Sequence, residues 1–246
     1  MSLDPAARIP RPRQNRAERD LAALYAPVIY FNQKEPFFPL VAGYTIFRGD
    51  AQSPSFPRRI ELAAPGHEPA ALAIEYAIWW DWDIQHLYEI EHTWTYVGQD
   101  GRVVFADASW HGGYSSAVLG DGTVPLAPGS ATHPVVYSQP GKHAFVPMVE
   151  GLLEVADENA VNCGPKAGSG GLWVVPLFED ALTQRKNPQV DALVASYLRA
   201  RAFTPAGVWD REFPVTRDML IPWPALFEWV PRQIDWWIAR LRSGEA

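Results

Sequence analysis

The sequence predicts a mainly β protein, an antiparallel β-sandwich (jelly-roll-like) with peripheral helices, mostly C-terminal. Three observations predict it. Strand-sized apolar runs recur between clusters of Pro, Gly and Asp over the first two thirds of the chain, as an antiparallel domain requires. In two of those runs the large side chains fall on alternate positions. Helical spacing of apolar residues is confined to a short stretch near the N-terminus and to the chain beyond Asp180.

Residues 16–25 read as a short helix, with Asn15 as N-cap, Leu21 and Leu24/Tyr25 facing inward and Pro27 ending it. Residues 28–31 form a buried strand. Over 72–80, Leu72, Ile74, Tyr76, Ile78 and Trp80 share one face. Ile90, His92, Trp94 and Tyr96 alternate likewise, with Glu89, Glu91, Thr93 and Thr95 on the opposite face. Asp100-Gly101 is a hairpin turn and 102–108 the return strand. Taken as a two-residue turn, it sets Gln99 against Arg102, His92 against Ser109 and Ile90 against His111.

Further strands are expected at 134–138 and 171–178. Residues 164–171 are Gly-rich but match neither phosphate-loop nor dinucleotide spacing, and read as a loop. Val190, Leu193, Val194, Tyr197 and Leu198 have helical spacing, as do Leu226, Val230, Ile234, Trp237 and Leu241, where Pro231 is expected to open a short last helix. That helix carries Asp235, Arg240 and Arg242, and its aromatic stripe is expected to pack on the sheet rather than on a membrane surface. The chain thus divides into a mobile arm, 1–15, and a single domain, 16–246, with a helical segment from about 181.

At 246 residues, 48% hydrophobic and 20% charged, the chain can bury a sizeable core. A net charge of −7 argues against a nucleic-acid surface. The one basic cluster, Arg8, Arg11, Arg13, Arg16 and Arg19, lies in the Pro/Arg-rich arm and reads as a solvated terminus in preference to a polyanion grip. The single cysteine, Cys163, excludes an intrachain disulfide, and its surroundings do not mark it as a catalytic thiol. No run approaches the roughly 20 apolar residues of a membrane span. The chain as written reads as cytoplasmic, with secretion left open, and no feature sets an oligomeric state.

The densest chemistry lies in residues 79–92, which hold Asp81, Asp83, Glu89, Glu91, His86 and His92 among Trp79, Trp80 and Trp82. Unpaired buried charges cost several kcal/mol each, and the interleaved tryptophans do not suit a solvated face. A divalent cation reconciles the two. The β-branched and aromatic flanks favour strands, so residues 81–87 are placed in the connection between two strands. Glu89 and Glu91 then share one face, roughly 7 Å apart and within reach of one ion. His86 has the opposite parity and joins them only if the chain bends. The connection contains neither Gly nor Pro, and a metal would fix it. One imidazole with several carboxylates suits Mg or Ca, and also Mn, better than structural Zn. The metal ligands expected are His86, Glu89 and Glu91, with Asp81 and Asp83 competing for the fourth place.

The stretch His86-Leu87-Tyr88-Glu89-Ile90-Glu91 resembles the Gly-His-Arg-His-Asp-Trp-Glu signature of the necrosis- and ethylene-inducing-like proteins, and the His-x-x-Asp-Trp-Glu of a related vacuolar-protein-sorting-type family. The resemblance implies that His86, Glu89 and Glu91 stand for the metal-binding His, Asp and Glu, and Asp81 or Asp83 for an upstream Asp. Three shorter matches extend it in the same order: Tyr25-Ala26-Pro27 through Glu35-Pro36-Phe37-Phe38-Pro39, Ser109-Trp110-His111-Gly112-Gly113, and Gly141-Lys142-His143. Tyr88, Ile90 and Leu87 depart from the signature, the preceding Gly is absent, and the disulfide usual in the secreted cytolysins cannot form. The resemblance implies a metal-binding β-sandwich and carries no implication of toxicity.

His92 and His111 are expected as diagonal neighbours on the face opposite the glutamates, although the Gly112-Gly113 pair could turn His111 toward the metal. His143, beside Lys142 in a Pro-Gly turn, could line the same cleft. His67 and His133, in Pro-rich loops, are expected to be exposed. A glycosidase pair from Glu89 and Glu91 is disfavoured, because the two point the same way from one strand whereas such carboxyls flank a bond. Trp79, Trp80, Trp82, Trp94 and Trp110 are read chiefly as core. The leading expectation is a metal-binding sandwich that recognises a polar, oxygen-rich ligand, a glycan or a lipid head group, at an acidic aromatic cleft. The alternatives are a metal-dependent hydrolase with His111 or His143 as acid or base, and a purely structural ion.

Overall fold

The computed structural model describes residues 4–64 and 68–246. The expectation for His67 lies outside the described residues. The strands are β1 (Val28–Phe31), β2 (Val41–Phe47), β3 (Ala51–Gln52), β4 (Arg59–Ile60), β5 (Leu72–Trp82), β6 (His86–Val97) and β7 (Val103–Trp110). They continue with β8 (Gly113–Ser116), β9 (Val135–Ser138), β10 (Phe145–Val146), β11 (Gly171–Leu172), β12 (Arg211–Pro214) and β13 (Leu220–Pro222). The helices are α1 (Arg16–Leu24), α2 (Glu150–Leu153), α3 (Ala156–Cys163), α4 (Glu179–Leu182), α5 (Pro188–Arg199) and α6 (Trp223–Ser243).

The fold is mainly β. One sheet has the order β13-β2-β5-β6-β7-β8, with β11 added beside the start of β6, and a second runs β10-β9-β1-β12. The sheets meet through Trp80 of the first, which stands edge-on to Phe31 (6.4 Å between ring centroids) and beside Phe145 (6.1 Å) of the second. The opposite face of the first sheet is covered by α6, whose Leu226 lies so close to Gly43 that a Cβ there would meet it at 2.8 Å. The central ladder is antiparallel, whereas β9 on β1, β13 on β2 and β11 on β6 are parallel.

The spine is the β5–β6 hairpin, longer than its sequence pattern suggests. The expected connection over 81–87 shrinks to Asp83, Ile84 and Gln85, because β5 pairs through Trp82 opposite Leu87. The tip is fixed by backbone: Ile84 donates to the Gly141 carbonyl (2.8 Å), and Gly168 and Gly170 donate to the carbonyls of Ile84 (2.9 Å) and Gln85 (2.8 Å). Asp83 adds a local turn by accepting from the Gln85 amide at 2.6 Å. These bonds fix the turn through the backbone, a source of support that the absence of Gly and Pro from residues 81–87 did not suggest. The Gly-rich loop at 164–171 is what clasps it.

Other departures have local causes. At the β6–β7 turn, Gly101 donates to Gly98 and Gly98 to Arg102, giving a wider turn than the expected two-residue one. A bulge between Tyr96 and Val97 then restores the expected register. Of the strand expected at 171–178 only β11 forms; Val174 and Val175 pack on the core without a ladder, and Pro176 opens a 3₁₀ turn. α2 and α3 carry too few apolar residues to show helical spacing, and α3 buries Asn159 and Asn162 instead. α6 starts at Trp223 and runs through Pro231 rather than from it, since Val230 and Ile234 on either side are fully buried and offset one missing backbone bond. In α1, Asn15 caps and Tyr25 is buried as expected, but Ala22 is buried as well and Leu24 is exposed.

The N-terminal arm, expected to be mobile, is tied to α6. The Arg8 carbonyl accepts from Trp229 Nε1 at 2.7 Å, and Arg8 Nε donates to Gln233 Oε1 at 3.1 Å. No helix among the described residues is long and apolar enough to cross a membrane.

Candidate metal centre at the tip of the central hairpin

His86 opens β6, and its ring is oriented by its own strand, with Nδ1 2.8 Å from the Tyr88 carbonyl. Nε2 then faces Asp83 Oδ1 at 3.5 Å and Glu89 Oε2 at 3.6 Å. On a regular strand His86 and Glu89 would point to opposite sides. Tyr88, with φ of 61°, reverses that alternation. Its ring stacks on Trp79 at 5.0 Å and meets Phe178 edge-on, burial that offsets a left-handed backbone at a non-Gly position. The bend demanded by the sequence therefore exists, and lies inside the strand rather than before it.

One ligand atom each from Asp83, His86 and Glu89 lies within 4.8 Å of the others. Asp83 is fully buried, while the side chains of His86 and Glu89 keep 11% and 18% exposure, so the group is reached from their side. Trp173, 52% exposed, stacks on the His86 ring at 5.9 Å and borders that approach. Glu91 is buried two positions on and accepts from the Ser109 hydroxyl, which in turn accepts from the His92 amide at 2.6 Å.

Sequence reasoning missed Lys142 as a member of this cluster. Its ammonium lies 2.7 Å from Asp83 Oδ2 and 3.4 Å from His86 Nε2. The signal was available: Lys142 belongs to the Gly141-Lys142-His143 segment, whose Gly141 also anchors Ile84. Glu35 was missed as well; it accepts from the Gly141 amide at 2.7 Å and so positions the loop carrying Lys142.

The electrostatics follow from two buried carboxyls, Asp83 and Glu91, and a half-buried one, Glu89, facing one ammonium. Burial, then Glu91 and Asp83, push Glu89 well above the carboxylate range. Burial pushes Glu91 up to about 7 against the pull of Ser109. Burial drives His86 down to about 4, so its imidazole is neutral, and Nε2 is the ring nitrogen turned toward Asp83, Glu89 and Lys142. Burial also raises Asp83, but His86 and Lys142 outweigh it and hold that carboxyl below its ordinary value. Burial lowers Lys142, and Asp83 and Glu89 more than reverse it.

The remaining expected residues are dispersed. Asp81 is not brought to the cluster: it accepts from Trp79 Nε1 at 3.0 Å and from Gln233 of α6 at 3.1 Å, on the side of the sheet that α6 covers. Asp83 alone of the two competing aspartates is present. His92 lies on the face opposite the glutamates as expected, stacked on Trp94 with Nε2 3.0 Å from Ser55. His111 sits exposed at the two-residue turn between β7 and β8, its φ of 48° and that of Gly112 both positive. It makes no hydrogen bond or ion pair with the triad; although the residue as a whole is exposed, partial burial of its ring and then the Lys142 charge lower its pKa, against the opposing charges of Glu158 and Asp83. His143 is fully enclosed, stacked on Trp80 at 4.7 Å, with Nε2 3.4 Å from Glu35. His133, expected to be exposed, is half-buried and bonds the Ala26 carbonyl at 2.8 Å. Cys163 is buried, and its thiol, raised by burial, donates to the Pro140 carbonyl.

No protein-family model, curated protein or solved structure matches this chain.

Proposed function

We propose that this is a divalent-cation-binding β-sandwich protein, with the ion held by Asp83, His86 and Glu89 and with Glu91 close by. The observation that carries the reading is the triad itself, a neutral imidazole and two carboxyls whose ligand atoms lie within 4.8 Å of one another. Ligands at right angles around an ion with bonds of about 2.3–2.6 Å stand about 3.3–3.7 Å apart, against about 2.9 Å for Mg. The separations of 3.5 and 3.6 Å therefore favour Ca over Mg, with Mn between them. The donor set fits. An ion there would supply positive charge to three carboxyls that otherwise face one ammonium.

The resemblance to the necrosis- and ethylene-inducing-like and vacuolar-protein-sorting-type families supports the same reading. Its scattered segments converge on this cluster: Ser109 on Glu91, Lys142 on Asp83, and Glu35 on Gly141. Because the cluster opens on the side of Glu89 and Trp173, the ion would meet a polar, oxygen-rich ligand there, a glycan hydroxyl or a lipid head group. His143 is enclosed against Trp80 and Glu35, and His111 makes no hydrogen bond or ion pair with the triad among the described residues, so neither histidine favours the hydrolase alternative.

A second reading rests on Lys142. Its ammonium already compensates Asp83, and the cluster would then be a self-contained charge network with no ion. Metal analysis of the purified protein, with thermal unfolding in EDTA and after addition of Ca, Mn or Mg, separates the two. Bound metal with an EDTA-sensitive melting temperature, both lost in Asp83→Asn, is expected. A metal-free protein that none of the three ions stabilises would leave the Lys142 network as the answer.

A further inference from the structure

We infer that the N-terminal arm, the start of α1 and the segment before β13 form a separate binding site for a compact polyphosphate anion. A hollow of about 740 Å³ opens between them, lined by Arg11, Arg13, Arg16, Arg19 and Arg217, with Asp218 the one acidic side chain. Ile9 and Ile221 supply apolar wall. Five arginines and one aspartate line this hollow in a chain whose net charge is −7, a local excess of positive charge that favours an anion.

The arm is built to hold this shape. Arg8 is fastened to Trp229 and Gln233 of α6, Gln14 accepts from the Tyr44 hydroxyl at 3.4 Å, and Asn15 caps α1. Pro10 and Pro12 stiffen the segment between these anchors and place no N–H there. Two of the arginines are occupied. Arg19 donates to the Arg217 carbonyl at 3.0 Å and lies 3.7 Å from Asp218, and Arg217 pairs with Asp20. Arg11, Arg13 and Arg16 have no carboxylate partner among the described residues, so their charges are available to an anion.

The size of the hollow suits a small molecule, and none of its lining side chains is aromatic, so it lacks the stacking platform of a single-stranded nucleic-acid groove. Planar guanidinium forks match phosphate oxygens two at a time. The chemistry that fits is two or more neighbouring phosphates, carried by a free polyphosphate or by a phosphorylated lipid head group.

The test is calorimetric titration of the full chain with inorganic tripolyphosphate at about 50 mM salt, where charge-driven binding is strongest. EDTA is present throughout, so that an ion at the hairpin tip contributes nothing. Vesicles of phosphatidylcholine with and without a phosphoinositide form the second arm. The comparison protein is Arg11→Gln/Arg13→Gln/Arg16→Gln, its fold checked by circular dichroism, with Arg13→Gln alone in reserve. Binding weakened by about tenfold or more in the variant, with a shallower salt dependence, is expected. Tripolyphosphate binding alone identifies a soluble ligand, and phosphoinositide-dependent vesicle binding a membrane one. No binding in either arm, or binding that the variants leave unchanged, overturns the inference whatever the outcome at the hairpin tip.

Discussion

His86 and Glu89 stand three residues apart on one strand, yet their Nε2 and Oε2 atoms are 3.6 Å apart, because Tyr88 between them takes a φ of 61°. One left-handed residue thus brings two side chains of an alternating strand to the same edge. Tyr88→Gly should keep that backbone while losing the ring stacked on Trp79, at a cost of about 3–5 kcal/mol in urea unfolding. Tyr88→Val, whose branched side chain resists positive φ, should cost at least as much and should also shift the His86 titration seen by NMR, which Tyr88→Gly leaves in place.

Asp81 and Asp83 are distinguished by the sheet face each occupies. Asp83→Asn is expected to abolish metal-dependent stabilisation. Asp81→Asn should leave it intact and lower stability by about 1–3 kcal/mol through its bonds to Trp79 and Gln233, whichever metal is used. Melting curves with and without Ca on the two variants check this, and equal loss of the metal effect in both would count against the assignment of Asp83.

The protonated glutamates give the site a pH signature. Glu89 and Glu91 have raised folded values, so the folded protein holds protons that the unfolded chain releases, and their stabilisation is lost as pH rises through those values. His86 and His92, lowered to about 4 and about 3, act in the opposite sense, adding stability as pH rises toward 6.5. Above about 6.5 only the glutamates still titrate, and stability in EDTA should fall by up to about 1.4 kcal/mol per pH unit for each proton. Glu91→Gln should flatten that decline between pH 6.5 and 8, measured by urea unfolding, and bound Ca should abolish it.

Lys142 neutralises the carboxylate that the proposed ion would also use. In EDTA, Lys142→Met should destabilise by about 3–5 kcal/mol, because Asp83 loses its buried partner. If the site binds an ion, the same variant should bind Ca more tightly than wild type and recover most of that loss, which titration calorimetry and unfolding read together.

Pro231 interrupts the backbone ladder of α6. Pro231→Ala restores one bond and should raise stability by about 1–2 kcal/mol, less than the full helix penalty of proline because the unfolded chain gains freedom. Chemical unfolding measures it, and a loss of stability would mean that the proline ring itself is packed to advantage.

The sequence alone determined the β class, the β5–β6 spine, the shared face of Glu89 and Glu91, the Asn15 cap and the helix at α5, since each is a periodicity or a local bond that neighbouring residues set. It also located the acidic run that carries the candidate site. Tertiary structure decided the membership of that site. The choice of Asp83 over Asp81 depends on where the strand ends, and Lys142 arrives from a loop more than fifty residues away, held by Glu35. The reversal at Tyr88 likewise follows from a ring buried between Trp79 and Phe178, and the arm's attachment from tryptophans at the far end of the chain. Period-2 patterning cannot encode a reversal whose compensation is supplied by residues distant in sequence, and that is why the grouping of Asp83, His86 and Glu89 emerged only from the folded chain.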